Sequence, residues 1–239
     1  MSDIQALILA GGKGSRLRPY TTSFPKPLLP VGDIPILEIV LRQLANHGFR
    51  RIGVATGHLG EMIRLFCADG HRWGLELSYY QEETPLGTAG AIGLVKEHVA
   101  DNFLVMNGDI LSTFNFTEGL RFHQAGGRIA TIGVYPRAVQ VDFGVLHQNP
   151  DTTLSRYEEK PTLRYKVSMG INFFRKEVVG FLREGEPIDI PDLISRLMTA
   201  GRTVACYQPD CYWLDIGRVD DYAIANDEFT RRRREFLPE

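Results

Sequence analysis

An apolar run, Ala6 to Ala10, leads straight into Gly11-Gly12-Lys13-Gly14-Ser15-Arg16-Leu17-Arg18, and Lys26 follows ten residues after Arg16. Glycines have no Cβ, so their backbone N–H groups can approach a ligand closely. A cluster of such groups beside cations makes a cradle for polyphosphate. Two commoner glycine loops fail on spacing. A Walker loop ends Gly-Lys-[Ser/Thr], but Gly14 is followed by Ser15. A dinucleotide fingerprint needs a third glycine three residues after Gly14, and that position is Leu17.

Two acids stand where strands are expected to end. Asn107-Gly108-Asp109 closes the apolar run over 103–107, and Tyr212-Trp213-Leu214-Asp215-Ile216-Gly217 repeats the arrangement. In open α/β sheets, ligands bind beyond the carboxyl ends of the strands. Mg²⁺ takes one or two carboxylates plus waters and phosphate oxygens, so Asp109 and Asp215 are the candidate metal ligands. Taken alone, Asp109 reads equally well as a turn or cap residue.

Two further segments bear on substrate binding. Lys160, in Tyr157-Glu158-Glu159-Lys160-Pro161, is a candidate phosphate clamp. The segment Glu82-Glu83-Thr84-Pro85-Leu86-Gly87-Thr88-Ala89-Gly90 offers small residues at a helix start. They suit either close approach of a planar base or tight helix packing. Ionised Glu82 accepts hydrogen bonds only, and guanine offers the adjacent donors N1–H and N2 amine. A base-reading role for Glu82 therefore favours GTP, the other reading being a solvated loop acid. The six histidines are scattered without metal-like spacing and read as structural or surface groups.

These motifs, in this order, resemble the sugar-1-phosphate nucleotidyltransferases, the NDP-sugar pyrophosphorylases. The resemblance rests on Gly-Gly-x-Gly-Ser-Arg-Leu, Pro25-Lys26-Pro27-Leu28-Leu29-Pro30-Val31, Glu159-Lys160-Pro161, and Trp213-Leu214-Asp215-Ile216-Gly217 followed by Asp220-Asp221-Tyr222 and Asn226. It spans residues 4 to about 229. It implies transfer of a nucleoside monophosphate to a sugar 1-phosphate, with Arg16 and Lys26 catalytic and Asp109 and Asp215 holding Mg²⁺. It implies nucleotide contacts at Leu9, Gly11, Gly12, Gly14, Ser15, Arg16, Glu82, Pro85, Gly87, Thr88, Asn107 and Gly108. Sugar-phosphate contacts map to Gly144, Glu158 (or Glu159), Lys160 and Asn172. Asn107 departs from the Leu-Gly-Asp of some branches. Within the family the chain most resembles short bacterial enzymes that join GTP to mannose 1-phosphate or a manno-heptose 1-phosphate. Thymidylyl, uridylyl or cytidylyl transfer is the alternative, and a silent sugar-nucleotide-binding subunit is the non-enzymatic one.

The elements that must position these groups follow from periodicity. Strands are expected at 4–10, 51–56, 75–81 and 103–107, and helices at 36–44, 59–67, 88–99 and 117–125. This alternation argues a mainly parallel sheet wrapped by helices, a Rossmann-like three-layer α/β fold of the GT-A-like nucleotidyltransferase type. The second half reads as strands at 129–135, 145–147, 153–159 and 167–174, short helices at 176–182 and 191–200, strands at 204–208 and 212–216, and a helix from 219. One domain over 1–239 is expected, with a nucleotide half (1–127) and a sugar-phosphate half (128–239). No hexapeptide repeats of a β-helix domain follow residue 217.

Composition fits a globular chain of 239 residues, 44% hydrophobic and 23% charged. The net charge of −2 gives no basic field for nucleic acid, so anion sites must be local. The Arg231–Arg234 run, with Glu228, Glu235 and Glu239 nearby, reads as a solvated helix end. Three cysteines with no histidine close by cannot assemble a zinc site, and an odd, low count fits the reducing cytoplasm. No signal peptide or membrane span is evident, and a homo-oligomer is an open possibility.

Overall fold

A computed structural model describes residues 3–238; Met1, Ser2 and Glu239, which the expected single domain includes, lie outside the described residues. β1 (Ile4–Ala10) enters a loop of three 3₁₀ turns (Ser15–Leu17, Tyr20–Thr22, Lys26–Leu28), and the short strands β2 (Pro30–Val31) and β3 (Ile34–Pro35) pair before α1 (Ile36–Asn46). Then come β4 (Arg51–Thr56), α2 (Gly60–Cys67), β5 (Glu76–Gln81), α3 (Gly87–Gly93), β6 (Val99–Asn107), β7 (Ile110–Ser112) and α4 (Phe116–Gln124). The second half supplies β8 (Ala130–Gln140), β9 (Val145–Gln148), β10 (Leu154–Glu158), β11 (Thr162–Arg175), a 3₁₀ segment (Lys176–Phe181), α5 (Ile190–Thr199), β12 (Val204–Tyr207), β13 (Trp213–Asp215) and α6 (Val219–Phe236).

Seven strands form one sheet in the order β12-β8-β11-β6-β1-β4-β5, and only β11 runs antiparallel to its neighbours. The chain steps outward from β1 to β4 and β5, then returns to the other side of β1 as β6. That reversal leaves a crevice between the carboxyl ends of β1 and β6, where open α/β sheets bind ligands. The pleat sends alternate residues to opposite faces. Ala6, Ile8 and Ala10 of β1 meet α1 and α2 on one side, whereas Leu7 meets the layer of α3 and α5 on the other. Helices on both faces make the three-layer α/β architecture that the alternation predicts.

A third apolar cluster lies outside the two sheet faces. It joins Leu17, Leu29 and Val31 of the glycine-loop segment to Ile36 and Ile39 of α1, Leu111 of β7, Ile216, and Phe229 and Phe236 of α6. This cluster anchors the loop that carries the cations. Among the described residues, no helix is long and apolar enough to cross a membrane.

Three expectations need correction. The helix expected over 88–99 ends at Gly93, and β6 begins at Val99 rather than 103. Gly90 and Gly93 weaken the helix, and Val99 pairs with Ile4 of β1. β8 and β11 run further than expected, because they continue as a two-stranded ribbon from Ser168↔Val134 out to Thr162↔Gln140. The outer ribbon is exposed and so carries no burial periodicity. β7 was not expected at all. It is three fully buried residues, too short to show a period.

Phe229 is fully buried against Phe236, and a Cβ on Gly32 would lie 3.0 Å from its ring. Phe229→Ala should destabilise the chain by about 3 to 5 kcal/mol, as buried Phe truncations do. Urea unfolding measures the loss; a loss below about 1 kcal/mol would show that the third cluster does not anchor the loop.

Candidate active site

The crevice is built first by backbone. Gly14 adopts φ +58, and its carbonyl accepts a hydrogen bond from Thr21 Oγ1 (2.8 Å), which fixes the loop's bend. A Cβ on Gly12 would meet nothing within 4 Å, so this glycine faces open space. Leu17 is fully buried in the third cluster. Its burial leaves Ser15, Arg16 and Arg18 exposed on either side of it. Gly108 N–H bonds Leu9 O (2.9 Å), which holds the ends of β1 and β6 together.

The acids come next. Lys26 is only 9% exposed, and its Nζ lies 2.5 Å from Asp109 Oδ2. The other oxygen, Asp109 Oδ1, is buried without a hydrogen-bond partner. β7 pairs antiparallel with β13 and matches Ile110 to Asp215, while Ile216 N–H reaches Asp109 O (3.4 Å). The unexpected strand is thus what brings the two aspartates together. Asp215 opens to solvent along the crevice, yet protein surrounds it on its other sides. Burial and the charge of Asp109 push its carboxyl pKa up, against the pull of Lys26 and Arg16. Gly217 lies against both groups: a Cβ there would be in ordinary contact with Asp215 Oδ2 (3.5 Å) and an Arg16 guanidinium nitrogen (3.7 Å).

Two acids held together, one with a buried orphan oxygen, suit a hard cation that prefers oxygen ligands. Among the described residues, no group of three or more metal-ligating side chains gathers in one place. A cation there would find two carboxylate donors, with the remaining positions left to water or substrate.

One arm of the crevice is lined by Leu9, Gly11, Gly12, Glu82, Pro85, Gly87, Thr88, Asn107, Asp109 and Asp189. Nine of these are residues expected from sequence; Asp189 is not. Glu82 Oε2 accepts the Leu86 N–H (3.1 Å), and Oε1 lies over Gly11, 2.9 Å from where a Cβ would be. Gly87 has φ +75, and a Cβ there would sit 2.6 Å from Ile188 O. The small residues at this helix start thus serve close packing. Asp189 Oδ1 accepts from Thr88 N–H (2.8 Å) and Thr88 Oγ1 (3.0 Å), and Thr88 Oγ1 accepts from Ile190 N–H (2.9 Å). This exchange locks the first turn of α3 to the start of α5. Before the fold is known, Asp189 shows only as an acid preceding a helix.

Of the residues expected to hold sugar phosphate, Gly144, Glu158 and Lys160 lie in or beside the β9–β10 pair, and Asn172 does not. Gly144 packs on Tyr157 and Glu159, and Tyr157 Oη donates to Glu159 Oε2 (3.0 Å). Glu158 is engaged by His147 and Arg156, each at 3.0 Å. Lys160 follows β10 with φ +45, exposed. Asn172 lies apart from them, 3% exposed inside the sheet between Val105 and Ile132.

Two other readings are refined. The arginine run is not simply solvated: Arg232 bonds Glu235 (3.0 Å) and lies 4.8 Å over the Tyr212 ring, and Arg233 pairs with Asp33. Among the histidines, His123 is fully buried against Thr131 Oγ1 (2.9 Å), and burial pushes its pKa down to about 4. It is a neutral core residue.

An α/β sheet thus carries a glycine loop, two cations and two acids at its switch point, an arrangement suited to phosphate groups. The profile of the nucleotidyl transferase family matches residues 5–232, and the chain belongs to that family. A UTP–glucose-1-phosphate uridylyltransferase of Synechocystis sp. is 33% identical over 92% of this chain, which spans 61% of that relative's length. A mannose-1-phosphate guanylyltransferase catalytic subunit beta of Danio rerio is 32% identical over 99% of the chain and 67% of its own length. Among solved structures, a glucose-1-phosphate thymidylyltransferase candidate from Bacillus anthracis superposes with a TM-score of 0.75 at 26% identity, covering 94% of both chains. HddC from Yersinia pseudotuberculosis, complexed with GMP-PN, shares the fold at TM-score 0.71 and 22% identity, over 96% of this chain and all of that one.

The Asp109–Asp215 pair yields a prediction that needs no substrate. A carboxyl whose pKa is raised by folding is disfavoured as the anion, so ionised Asp215 weakens the fold at neutral pH and ceases to as pH falls through its folded pKa. Asp215→Asn should therefore raise the melting temperature without metal and abolish any stabilisation by Mg²⁺. Calorimetry with and without MgCl₂ checks both; unaltered Mg²⁺ stabilisation in the variant would remove Asp215 from the metal site.

Proposed function

We propose that this chain transfers a nucleoside monophosphate from a nucleoside triphosphate to a sugar 1-phosphate and releases pyrophosphate. The observation that carries the reading is the Lys26–Asp109 contact beside Asp215 and Arg16, at the mouth of the glycine loop. A sugar phosphate oxygen attacks the α-phosphorus in line. The new O–P bond forms as the bond to the bridging oxygen breaks, and pyrophosphate departs with that electron pair. A phosphate monoester with its second pKa near ~6 is already mostly dianionic at neutral pH, so no histidine base is needed.

The obstacle is electrostatic. Two like charges ~4 Å apart repel by ~4 kcal/mol at an effective dielectric of 20, and here two polyanions must meet. Backbone N–H groups of Gly11, Gly12 and Gly14 receive the triphosphate, and Arg16 faces the departing pyrophosphate. Lys26 bridges the α-phosphate and the sugar phosphate, where charge concentrates in the transition state. Asp109 and Asp215 would hold Mg²⁺, which when bound supplies charge neutralisation to the phosphate oxygens. Lys26→Ala should lower kcat by about 100-fold or more, on the scale of losing one preorganised electrostatic contact, with a smaller change in KM. A variant with unchanged kcat in a pyrophosphate-release assay contradicts the role.

The base favoured is guanine. Glu82 and Asp189 put two carboxylates along one cleft, and ionised carboxylates only accept hydrogen bonds. Guanine's N1–H and N2 amine supply adjacent donors, whereas uracil and thymine offer one N3–H between two carbonyls. The guanylyltransferase relative accords with this reading, and the uridylyltransferase relative names the alternative. The sugar is proposed to be of the mannose or manno-heptose type. Titration calorimetry of GTP, dTTP, UTP and CTP against the wild type and Glu82→Gln decides the base. Tightest binding of GTP, weakened by the substitution, is expected; equal or tighter binding of dTTP overturns guanine and leaves nucleotidyl transfer standing.

A further inference from the structure

Residues 136–167 form one long hairpin that leaves the central sheet. Its inner half is the ribbon of β8 and β11; Val141 N–H then bonds Pro161 O (3.0 Å), and β9 and β10 carry the hairpin on as a sheet of their own. β12 pairs with β8 only up to Gly133, and β6 pairs with β11 only from Ile171, so the hairpin is two strands wide along its length. Among the described residues, none between 136 and 167 belongs to any of the three apolar clusters. A two-stranded hairpin on its own is marginally stable in water and needs a further layer against an apolar face.

The hairpin has such faces, and they are bare. Cross-strand neighbours share a face. Val139 opposite Leu163 and Arg137 opposite Tyr165 therefore lie on one side of the inner half, with Arg164 and Lys166 on the other. On the outer half Leu146 lies opposite Tyr157, with His147 and Arg156 behind them. Phe143 and Leu154 complete a set of seven large apolar side chains, 40 to 78% exposed, out of thirteen exposed among the described residues. Scattered surface residues would not concentrate in this way. The seven present on the order of 700 Å² of apolar surface, more than the ~300–600 Å² of the largest patch on a typical monomer and close to the ~800 Å² that each side gives to a standard interface.

Charge says what fits there. The inner half carries Arg137, Arg164 and Lys166 and no acid; the outer half carries Asp142, Asp151, Glu158 and Glu159 against Arg156 and Lys160. Only Glu158 is engaged, by Arg156 and His147. The hairpin is thus basic near the sheet and acidic toward its tip. A partner of a single sign, such as a nucleic acid or an acidic peptide, would match half of it. A second copy laid head to tail matches both halves, because a two-fold axis sets the same patch against itself in reverse.

We propose that the long hairpin is a self-association surface, and that two copies of this chain pack their hairpins together head to tail as a dimer. Its apolar side chains supply the buried centre, and its basic and acidic halves set the direction.

The test is sedimentation velocity of the full chain from roughly 0.1 to 100 µM, a range over which interfaces of standard size separate or persist. The wild type should pass from the mass of one chain to twice that mass. Phe143→Ser and Tyr165→Ser should each raise the dissociation constant about tenfold or more, the scale of one large apolar side chain left unburied. Leu65→Ser, at an 82% exposed position on α2, should leave it within twofold. Raising NaCl to about 0.5 M should weaken the dimer severalfold by screening the two charged halves. Melting temperatures compared at the lowest concentration, where every variant is a monomer, confirm folding. A wild type that stays monomeric overturns the proposal and leaves the hairpin to a different protein. A dimer that Phe143→Ser and Tyr165→Ser leave intact, or that Leu65→Ser weakens equally, overturns the surface. A dimer that salt leaves unchanged or tightens overturns the head-to-tail match.

Discussion

Like charges held close together govern this molecule. Asp109 and Asp215 sit on adjacent strand ends, with Lys26 against one of them and Arg16 near the other. Left alone, the two carboxylates would separate or take up a proton. The fold keeps them together because Ile216 and Leu111, their close neighbours in sequence, are buried in the same apolar cluster as Leu17 and Phe229. Hydrophobic burial is thus what holds an electrostatically unfavourable arrangement in place. A cation at the orphan oxygen of Asp109, and the phosphates of a substrate on Lys26 and Arg16, would complete a charge pattern that the free protein leaves open.

The three apolar clusters divide the work. Those on the two sheet faces fix the relative height of β1 and β6, and so the width of the crevice. The third fixes the long loop after β1, which has little regular structure of its own and must carry its cations to the acids. The Glu82 cleft is held differently, by the Thr88–Asp189 exchange and the contact of Gly87 with Ile188, both tying the start of α3 to the segment that leads into α5. A distortion of α5 would therefore be felt at the Glu82 cleft before it reached Asp109 and Asp215.

Much of this was legible in the sequence. β1 and β4 fall where their apolar runs predict, because buried parallel strands have no exposed face to break the run. The glycine loop, Lys26 and the two acids were legible because their chemistry is unusual for strand ends. What could not be read was set by pairing across the chain. β7 is too short for a period, and the outer ribbon is exposed on both strands. Asp189 looks like an ordinary surface charge until the fold places it along the same cleft as Glu82. Asn172, a polar residue expected in a pocket, is enclosed within the sheet, its amide oxygen without a partner.

The proposed transfer requires a sugar phosphate oxygen to attack the α-phosphorus as pyrophosphate leaves. A sugar 1-phosphate labelled with ¹⁸O on its non-bridging phosphate oxygens, turned over with unlabelled triphosphate and followed by ³¹P NMR, tests it most directly. Attack by the sugar phosphate leaves one ¹⁸O in the bridge between the two phosphates of the sugar nucleotide and none in the pyrophosphate. Label in the released pyrophosphate, or a bridge without label, would contradict it.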